Sequence, residues 1–302
     1  MFDALDPSVT VPANANMTPT AKPKRVLFKA ADGPELVGTL FRPAQAPRAV
    51  VVLSSATGVP QGFYAHFARW AAQECGLAVL TYDYRATGLS ATTSMRTARA
   101  DMIDWGQSDP QAARAAARRE FPGVPIWAMG HSLGGMLVPM QADRTDLARV
   151  ITVASGMAHV RDHPWPYRAT ALAFWYAIGP IATTLMGYLP GRRIGFGSDL
   201  PAAAYWQWRR WCTRDGAFLP DVGTRLPTPE WGAGDAPVHM VSLRDDELVP
   251  TKCVRRLAEV YVGGDVDVIE IDPAALGMGK VGHLGMFARR NQALWPTLLG
   301  ES

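Results

Sequence analysis

Residues 126–137 read IWAMGHSLGGML. Apolar, strand-like sequence breaks here at one hydroxyl, Ser132, with Gly130 two positions before it and Gly134 two positions after. The next residues, LGGMLVPMQADRTDLA, have helical character. A serine on a tight strand-to-helix turn is held in a strained backbone conformation. Side chains two positions to either side would collide there, so both must be glycine. The bland alternative is a strand ending in an ordinary glycine-rich loop, and the flanking strand and helix favour the first reading. Such a turn projects the Ser132 hydroxyl from the carboxyl edge of a sheet, where doubly wound folds bind ligands. It also points the Leu133 amide at any oxyanion that develops there.

Outward from the turn, strands and helices alternate. AVVVL (49–53) is a β-branched run suited to a strand buried on both faces. GFYAHFARWAAQECG follows, with Phe63, Phe67, Trp70 and Ala71 at helical spacing and Gly76 as a stop. LAVLTYDYRATGLS is a second buried strand, DPQAARAAARREF a helix with proline near its start, and RVITVASG a strand after the elbow. This alternation predicts a mostly parallel, doubly wound α/β sheet with helices on both faces. RVLFKAADG and ELVGTLFRP flank an Asp-Gly turn and predict an antiparallel hairpin at one edge. The pattern stops near Met157 and resumes at APVHMVSL (236–243). Between them lies sequence rich in Trp, Tyr and Pro, with helical pieces but no convincing buried strand. A helix (VPTKCVRRLAEVYV), a last strand (DVDVIEI) and a closing helix (HLGMFARRNQALWPTLLG) complete the chain. The predicted organisation is a flexible tail at 1–24, an α/β core at 25–157 and 236–302, and a helical cap at 158–235 inserted after the sixth strand.

Composition narrows the classes. The 302 residues are 48% hydrophobic and 19% charged, with a formal net charge of +3. No basic run marks a nucleic-acid groove, and RAAARRE (114–120) reads as the wet face of a helix. Three scattered cysteines make neither a disulfide framework nor a zinc site, which points to a reducing, cytoplasmic setting. The first residues lack a basic stretch followed by an apolar core, so no secretory leader is expected. ATALAFWYAIGPIATTLMGYLPG (169–191) carries no charge and is long enough to span a bilayer. Gly179-Pro180 in its middle and the threonines beyond favour a buried or lid helix pair instead.

A serine hydroxyl needs a base. His283, in GKVGHLGMF after the last strand, sits among glycines that let an imidazole reach over the sheet edge. His66, His131, His159, His163 and His239 read as space-filling or solvated. Between Ser132 and His283, SLRDDELVP supplies two acids just past a strand end: Asp246 is the first choice to orient the imidazole and Asp245 the alternative. The small-residue loop SSATGVPQGF after the third strand is suited to the second oxyanion donor, through the Ala56 amide or else that of Thr57.

Taken together, SATGVPQGFY, DYRATGLS, GHSLGG, DDE and GHLGMF resemble the α/β-hydrolase superfamily. They are most similar to its serine aminopeptidase S33-like (hydrolase-4) group, and within it to bacterial predicted α/β hydrolases. The resemblance runs from about residue 25 to 299 and is weak over the cap. Many relatives carry His-Gly where this chain has Ser54-Ser55, and Ala86 replaces a more usual glycine in DYRATG. Asp83 and Arg85 of that segment are taken as scaffold. The resemblance implies a Ser132–Asp246–His283 triad with Leu133 and Ala56 as oxyanion donors. It implies acyl transfer to water on a small-molecule ester, with no metal and no organic cofactor. The cap aromatics Trp165, Phe174, Trp175, Tyr176, Tyr205, Trp206, Trp208 and Trp211 suggest a pocket for apolar acyl or aryl groups. The uncharged cap segment is suited to peripheral membrane contact. Peptide or amide hydrolysis and acyl transfer to an alcohol are the rival reactions on the same triad, and a non-catalytic binding protein is the rival class.

Overall fold

The structure, a computed structural model, describes residues 22–141, 143–226, 228, 236–261 and 264–300. Most of the expected tail, residues 1–21, and the end of the expected cap, residues 227 and 229–235, lie outside the described residues.

Eight strands form one sheet: β1 (Lys24–Lys29), β2 (Glu35–Phe41), β3 (Ala49–Ser54), β4 (Leu77–Tyr82), β5 (Ile126–His131), β6 (Leu147–Val153), β9 (Val238–Leu243) and β10 (Val266–Ile271). Their order is β1-β2-β4-β3-β5-β6-β9-β10. β1 pairs antiparallel with β2, and β2 antiparallel with β4. The remaining pairs are parallel. This is the α/β-hydrolase fold. β3, β4 and β9 are buried along their whole length, as the nearly unbroken apolar runs of β3 and β4 demand, and β9 buries His239 and Ser242 as well. Two apolar layers cover the sheet, one around Trp105, Leu137 and Leu257, the other around Phe67, Phe287 and Trp295.

Three helices pack against these layers: α1 (Ala65–Glu74), α2 (Met102–Glu120) and the single turn α3 (Leu133–Met136) after β5. α2 starts earlier than its DPQAARAAARREF core suggested. Asp101 caps it, accepting from the Ile103 and Asp104 amides while Asp104 reaches back to the Asp101 amide, so Pro110 falls inside the helix. The helix expected after Ser132 ends within one turn, and Val138–Met140 tightens into a 3₁₀ turn containing Pro139. The closing helix is broken into Gly282–Gly285, Arg289–Leu294 and Trp295–Leu298. All of these changes leave the sheet order intact.

Between β6 and β9 the chain leaves the sheet. One helix, α4 (Tyr167–Met186), replaces the expected helix pair. Pro180 in a regular helix would clash with the carbonyl one turn back; the wider π turn at Phe174–Ile178 immediately precedes Gly179-Pro180 and makes room. A two-stranded ribbon, β7 (Tyr188–Leu189) with β8 (Leu200–Pro201), and α5 (Ala202–Thr213) follow. The ribbon was not expected from the sequence. α6 (Thr251–Ala258) then returns to the core.

Candidate active site

β5 delivers Ser132 at the carboxyl edge of the sheet, beside the end of β3, where Ser54 pairs with Gly130. Ser132 has φ 54° and ψ −115°, a conformation that L-residues rarely adopt. Its amide donates to the Val153 carbonyl at 2.9 Å and its carbonyl accepts from Met136 at 3.1 Å, so both neighbours hold the strain in place. A methyl on Gly130 would lie 2.2 Å from the Gly135 nitrogen, and one on Gly134 would lie 2.2 Å from the Ser54 carbonyl oxygen. Both obstacles are backbone, which cannot swing aside. The fold therefore supplies the steric reason for the two glycines.

The Ser132 hydroxyl lies 2.8 Å from His283 Nε2, and His283 Nδ1 lies 2.7 Å from Asp246 Oδ2. Asp246 is almost wholly buried. Its other oxygen, Oδ1, accepts from the amides of Leu248 at 2.8 Å and Val249 at 3.0 Å. Burial alone would raise its pKa, but His283 and these two amides outweigh burial and hold the carboxyl below its usual range. Asp245 turns the other way. It accepts from the Val281 amide at 2.7 Å and the Gly282 amide at 3.1 Å, clamping the backbone that carries His283.

The loop after β3 departs from expectation. The Ala56 amide donates to the Tyr64 hydroxyl at 2.9 Å, so it is turned into the core and away from Ser132. Thr57 instead lines the cavity together with Ser132 and Leu133. Tyr84 donates to the Ser55 carbonyl at 3.0 Å, and Tyr82 bonds the Ser54 hydroxyl at 2.7 Å. Three buried tyrosines, Tyr82, Tyr84 and Tyr64, thus hold Ser54, Ser55 and Ala56 in turn.

Residues 50–294 match the model of the alpha/beta hydrolase family. The chain belongs to that family. Among solved structures, this hydrolase is similar to the alpha/beta hydrolase GrgF from Penicillium sp. sh18 (19% identity, TM-score 0.60, 93% of this chain and 98% of that one). It is also similar to the Pyrococcus furiosus esterase Pf2001 (14%, 0.58, 93% and 88%). A third similar structure is the esterase domain of a Rhodothermus marinus protein (17%, 0.56, 93% and 97%).

In this hydrolase Ser132 borders a cavity of about 460 Å³ that the segment between β6 and β9 helps to wall. Phe174, Trp175, Ile178, Phe196, Trp208 and Leu248 are among its walls. No Asp, Glu, Lys or Arg lines it among the described residues. Of the cap aromatics singled out from the sequence, Phe174, Trp175, Trp208 and Trp211 reach this cavity. Tyr205 is buried behind Trp175, while Trp165, Tyr176 and Trp206 are exposed. The segment between β6 and β9 also meets the loop after β3, where the Ser198 amide donates to the Gly58 carbonyl at 2.9 Å.

Two histidines do more than their sequence positions indicated. His163 lines the cavity, its Nδ1–H directed at the Glu247 carbonyl 3.1 Å away. His131 is fully buried beside the elbow. Its Nδ1 accepts from the Tyr64 hydroxyl at 2.9 Å and its Nε2–H donates to the His283 carbonyl at 3.0 Å. Burial, with the nearby His283, lowers the His131 pKa to about 3 and keeps it neutral. His66 sits on α1, His159 caps a turn by accepting from the Arg161 amide, and His239 bonds the Thr297 carbonyl. Asp83 accepts from the Gln61 and Leu89 amides, and Arg85 pairs with Asp109 and Asp32. No group of His, Cys, Asp and Glu arranged to hold a metal occurs among the described residues.

Proposed function

We propose that this alpha/beta hydrolase is a serine esterase of the hydrolase-4 type that cleaves carboxylic esters of apolar acyl or aryl groups. The observation that carries the reading is the continuous chain Ser132–His283–Asp246, at 2.8 and 2.7 Å, opening on a cavity with no charged side chain in its wall. Nothing in ligand binding requires that trio in that order, and an uncharged cavity suits a neutral substrate rather than a peptide's terminal amine.

His283 Nε2 accepts the Ser132 proton as the oxygen attacks the ester carbonyl carbon. Asp246, accepting from Nδ1–H, holds the tautomer that leaves Nε2 free and stabilises the imidazolium that forms. The carbonyl oxygen becomes an oxyanion against the first-turn amide of Leu133 and the Thr57 amide. Thr57 takes the place of Ala56 because the Ala56 amide is already committed to Tyr64. The imidazolium returns its proton to the leaving alkoxide, freeing the alcohol and leaving an acyl-enzyme on Ser132. Water then repeats the cycle, with His283 as base, and releases the acid.

A fluorophosphonate probe tests the reading. The native chain is expected to label stoichiometrically and Ser132→Ala not at all; labelling that survives this substitution would overturn it. Across p-nitrophenyl esters of increasing chain length, kcat/KM is expected to climb from acetate to medium chains as the apolar cavity fills. A maximum at acetate would remove the apolar-acyl assignment while leaving the esterase.

A further inference from the structure

Helix α4 buries a single stripe. Ala171, Trp175, Gly179 and Thr183 face the protein, and Trp175 stacks on Tyr205 of α5. A methyl on Gly179 would stand 2.2 Å from the Tyr205 hydroxyl, so the contact is tight. Phe174 and Ile178 border the cavity, and the side of the helix turned away from both is largely apolar. Leu185 is 77% exposed, Ile181 59%, and Leu172 and Tyr176 are also exposed. A helix of 20 residues extends about 30 Å, which makes this surface long as well as apolar. The exposed side of an ordinary surface helix carries charge. Here the only charged residue between Tyr167 and Met186 is Arg168, at the first turn.

Basic residues gather around this face instead. From Trp165 to Asp215 the chain has six arginines, at 168, 192, 193, 209, 210 and 214, against two acids, Asp199 and Asp215, and of the six Arg210 is paired with Asp221. Arg192 and Arg193 are exposed just past the helix end. Arg209 lies over the rings of Tyr176 and Trp206, and its Nε–H donates to the Trp175 carbonyl rather than to a carboxylate. Arg168 lies over the Trp165 ring and donates to the carbonyls of His163 and Arg161. Neither of these two guanidinium charges is cancelled by those bonds.

From the apolar face and its arginine border together, we infer that α4 is an interfacial helix that seats the cap on an anionic lipid bilayer. A membrane surface takes apolar side chains into the acyl boundary and draws basic and aromatic residues to the headgroup level. A second copy of this chain would bring the same positive border toward itself. The inner side of α4 lines the cavity through Thr170, Ala171, Phe174, Trp175 and Ile178. The helix thus separates the lipid from the Ser132 cavity by its own thickness. Seating rests on the surface alone; delivery of lipid-dissolved esters to Ser132 rests also on the proposed esterase reading.

Co-sedimentation of the full chain with vesicles tests the seating. Binding is expected to equal mixtures of phosphatidylcholine and phosphatidylglycerol, to weaken on pure phosphatidylcholine, and to fall with added salt. Ile181→Glu with Leu185→Glu, two exposed positions outside the cavity wall, is expected to lower the partition coefficient more than about tenfold. Its thermal midpoint should stay at the native value, which separates lost docking from lost folding. Ser132→Ala should bind vesicles like the native chain, so a failure of the esterase reading would leave this result standing. No binding to anionic vesicles, or binding indifferent to the double substitution, would overturn the inference. So would a gel-filtration dimer that the double substitution dissociates, because the face would then belong to a second copy.

Discussion

Replacing Asp246 by Asn isolates what the carboxylate does, because the structure dictates how the amide must sit. Oδ1 of Asp246 accepts two backbone amides, from Leu248 and Val249. An amide NH2 cannot accept, so the Asn carbonyl oxygen must keep that position and its NH2 must face His283 Nδ1. The ring can meet a donor there only by moving its own proton to Nε2. Nε2–H then points at the Ser132 oxygen 2.8 Å away, where a free lone pair was needed. A triad with the wrong tautomer loses roughly 10⁴-fold in kcat, about 5.4 kcal/mol at 1.36 kcal/mol per decade. The fold should notice far less, since shape and both amide bonds persist; a loss below about 2 kcal/mol is expected. Asp245→Asn is the matched control. Its carbonyl oxygen can take the Oδ2 position, which accepts from both the Val281 amide at 2.7 Å and the Gly282 amide at 3.2 Å, so only the second Gly282 contact is lost; a cost of about 1 kcal/mol or less is expected, while kcat stays within about tenfold. Steady-state hydrolysis of p-nitrophenyl butyrate, with active sites counted by fluorophosphonate, measures both. If Asp246→Asn kept kcat within tenfold of native, or Asp245→Asn proved equally damaging, the reasoning from amide orientation would be refuted.

Ser132→Gly should abolish turnover yet stabilise the fold. Relief of the strain at φ 54° is worth roughly 1–3 kcal/mol, against about 0.5–1 kcal/mol for the added chain entropy of glycine. Ser132→Ala keeps the Cβ and should gain none of this; equal melting midpoints for the two variants would contradict the strain argument. Tyr64→Phe strips the partner from the buried Ala56 amide and from His131 Nδ1. We expect a loss of roughly 2–5 kcal/mol and a fall in kcat of about tenfold with KM little changed, a fraction of what losing an oxyanion donor outright costs. A destabilised variant with native kcat would separate Tyr64 from the oxyanion loop. His131 has a folded pKa of about 3, below its unfolded value near 6.5. Its contribution to stability is complete above pH 6.5 and is lost as pH falls towards 3, by about 2 kcal/mol at pH 5. His131→Gln should flatten that part of the stability–pH curve, which urea titrations across pH 5–7 can measure.

What the sequence disclosed follows from the range of each physical signal. The sheet was legible because strand burial and helix period are local, and because β3 and β4 are apolar at nearly every position. The elbow was legible because its steric demand spans five residues, Gly130 to Gly134. The choice between Asp245 and Asp246 was only partly legible. Both follow β9, and what separates them is which carboxylate meets the amides two and three residues on and which meets the loop at 281–282. The partner of the Ala56 amide was not legible because it is a tyrosine eight residues away, reached through a side-chain-to-backbone bond that leaves no periodic trace. The segment of α4 was read as a buried or lid helix pair, and its sequence left open which face would be covered. The rule that apolar residues lie inside runs in one direction only, and an apolar run does not say which of its faces has a partner. Gly179-Pro180 was read as a break because the tolerance of a π turn depends on packing, here against Tyr205, that no local pattern records.

The residue between the elbow glycine and Ser132 has a reason that the motif alone does not give. His131 is neutral, and its two nitrogens are used in opposite senses: Nδ1 accepts from Tyr64, and Nε2–H donates to the His283 carbonyl. Tyr64 in turn accepts from Ala56, the residue before Thr57. One imidazole therefore connects the loop after β3, the turn after β5 and the loop that carries His283. Phe287 packs against both His131 and Tyr64, filling the space beside the bonds. A ring that took a second proton would keep the bond to the His283 carbonyl, but its Nδ1 would become a donor and the Tyr64 hydroxyl would have to turn and accept from it. The bond towards the loop after β3 is therefore the one whose sense protonation reverses. The burial that keeps His131 neutral thus also keeps the proposed donor loop in register with the proposed base, although neither of His131's nitrogens contacts Ser132.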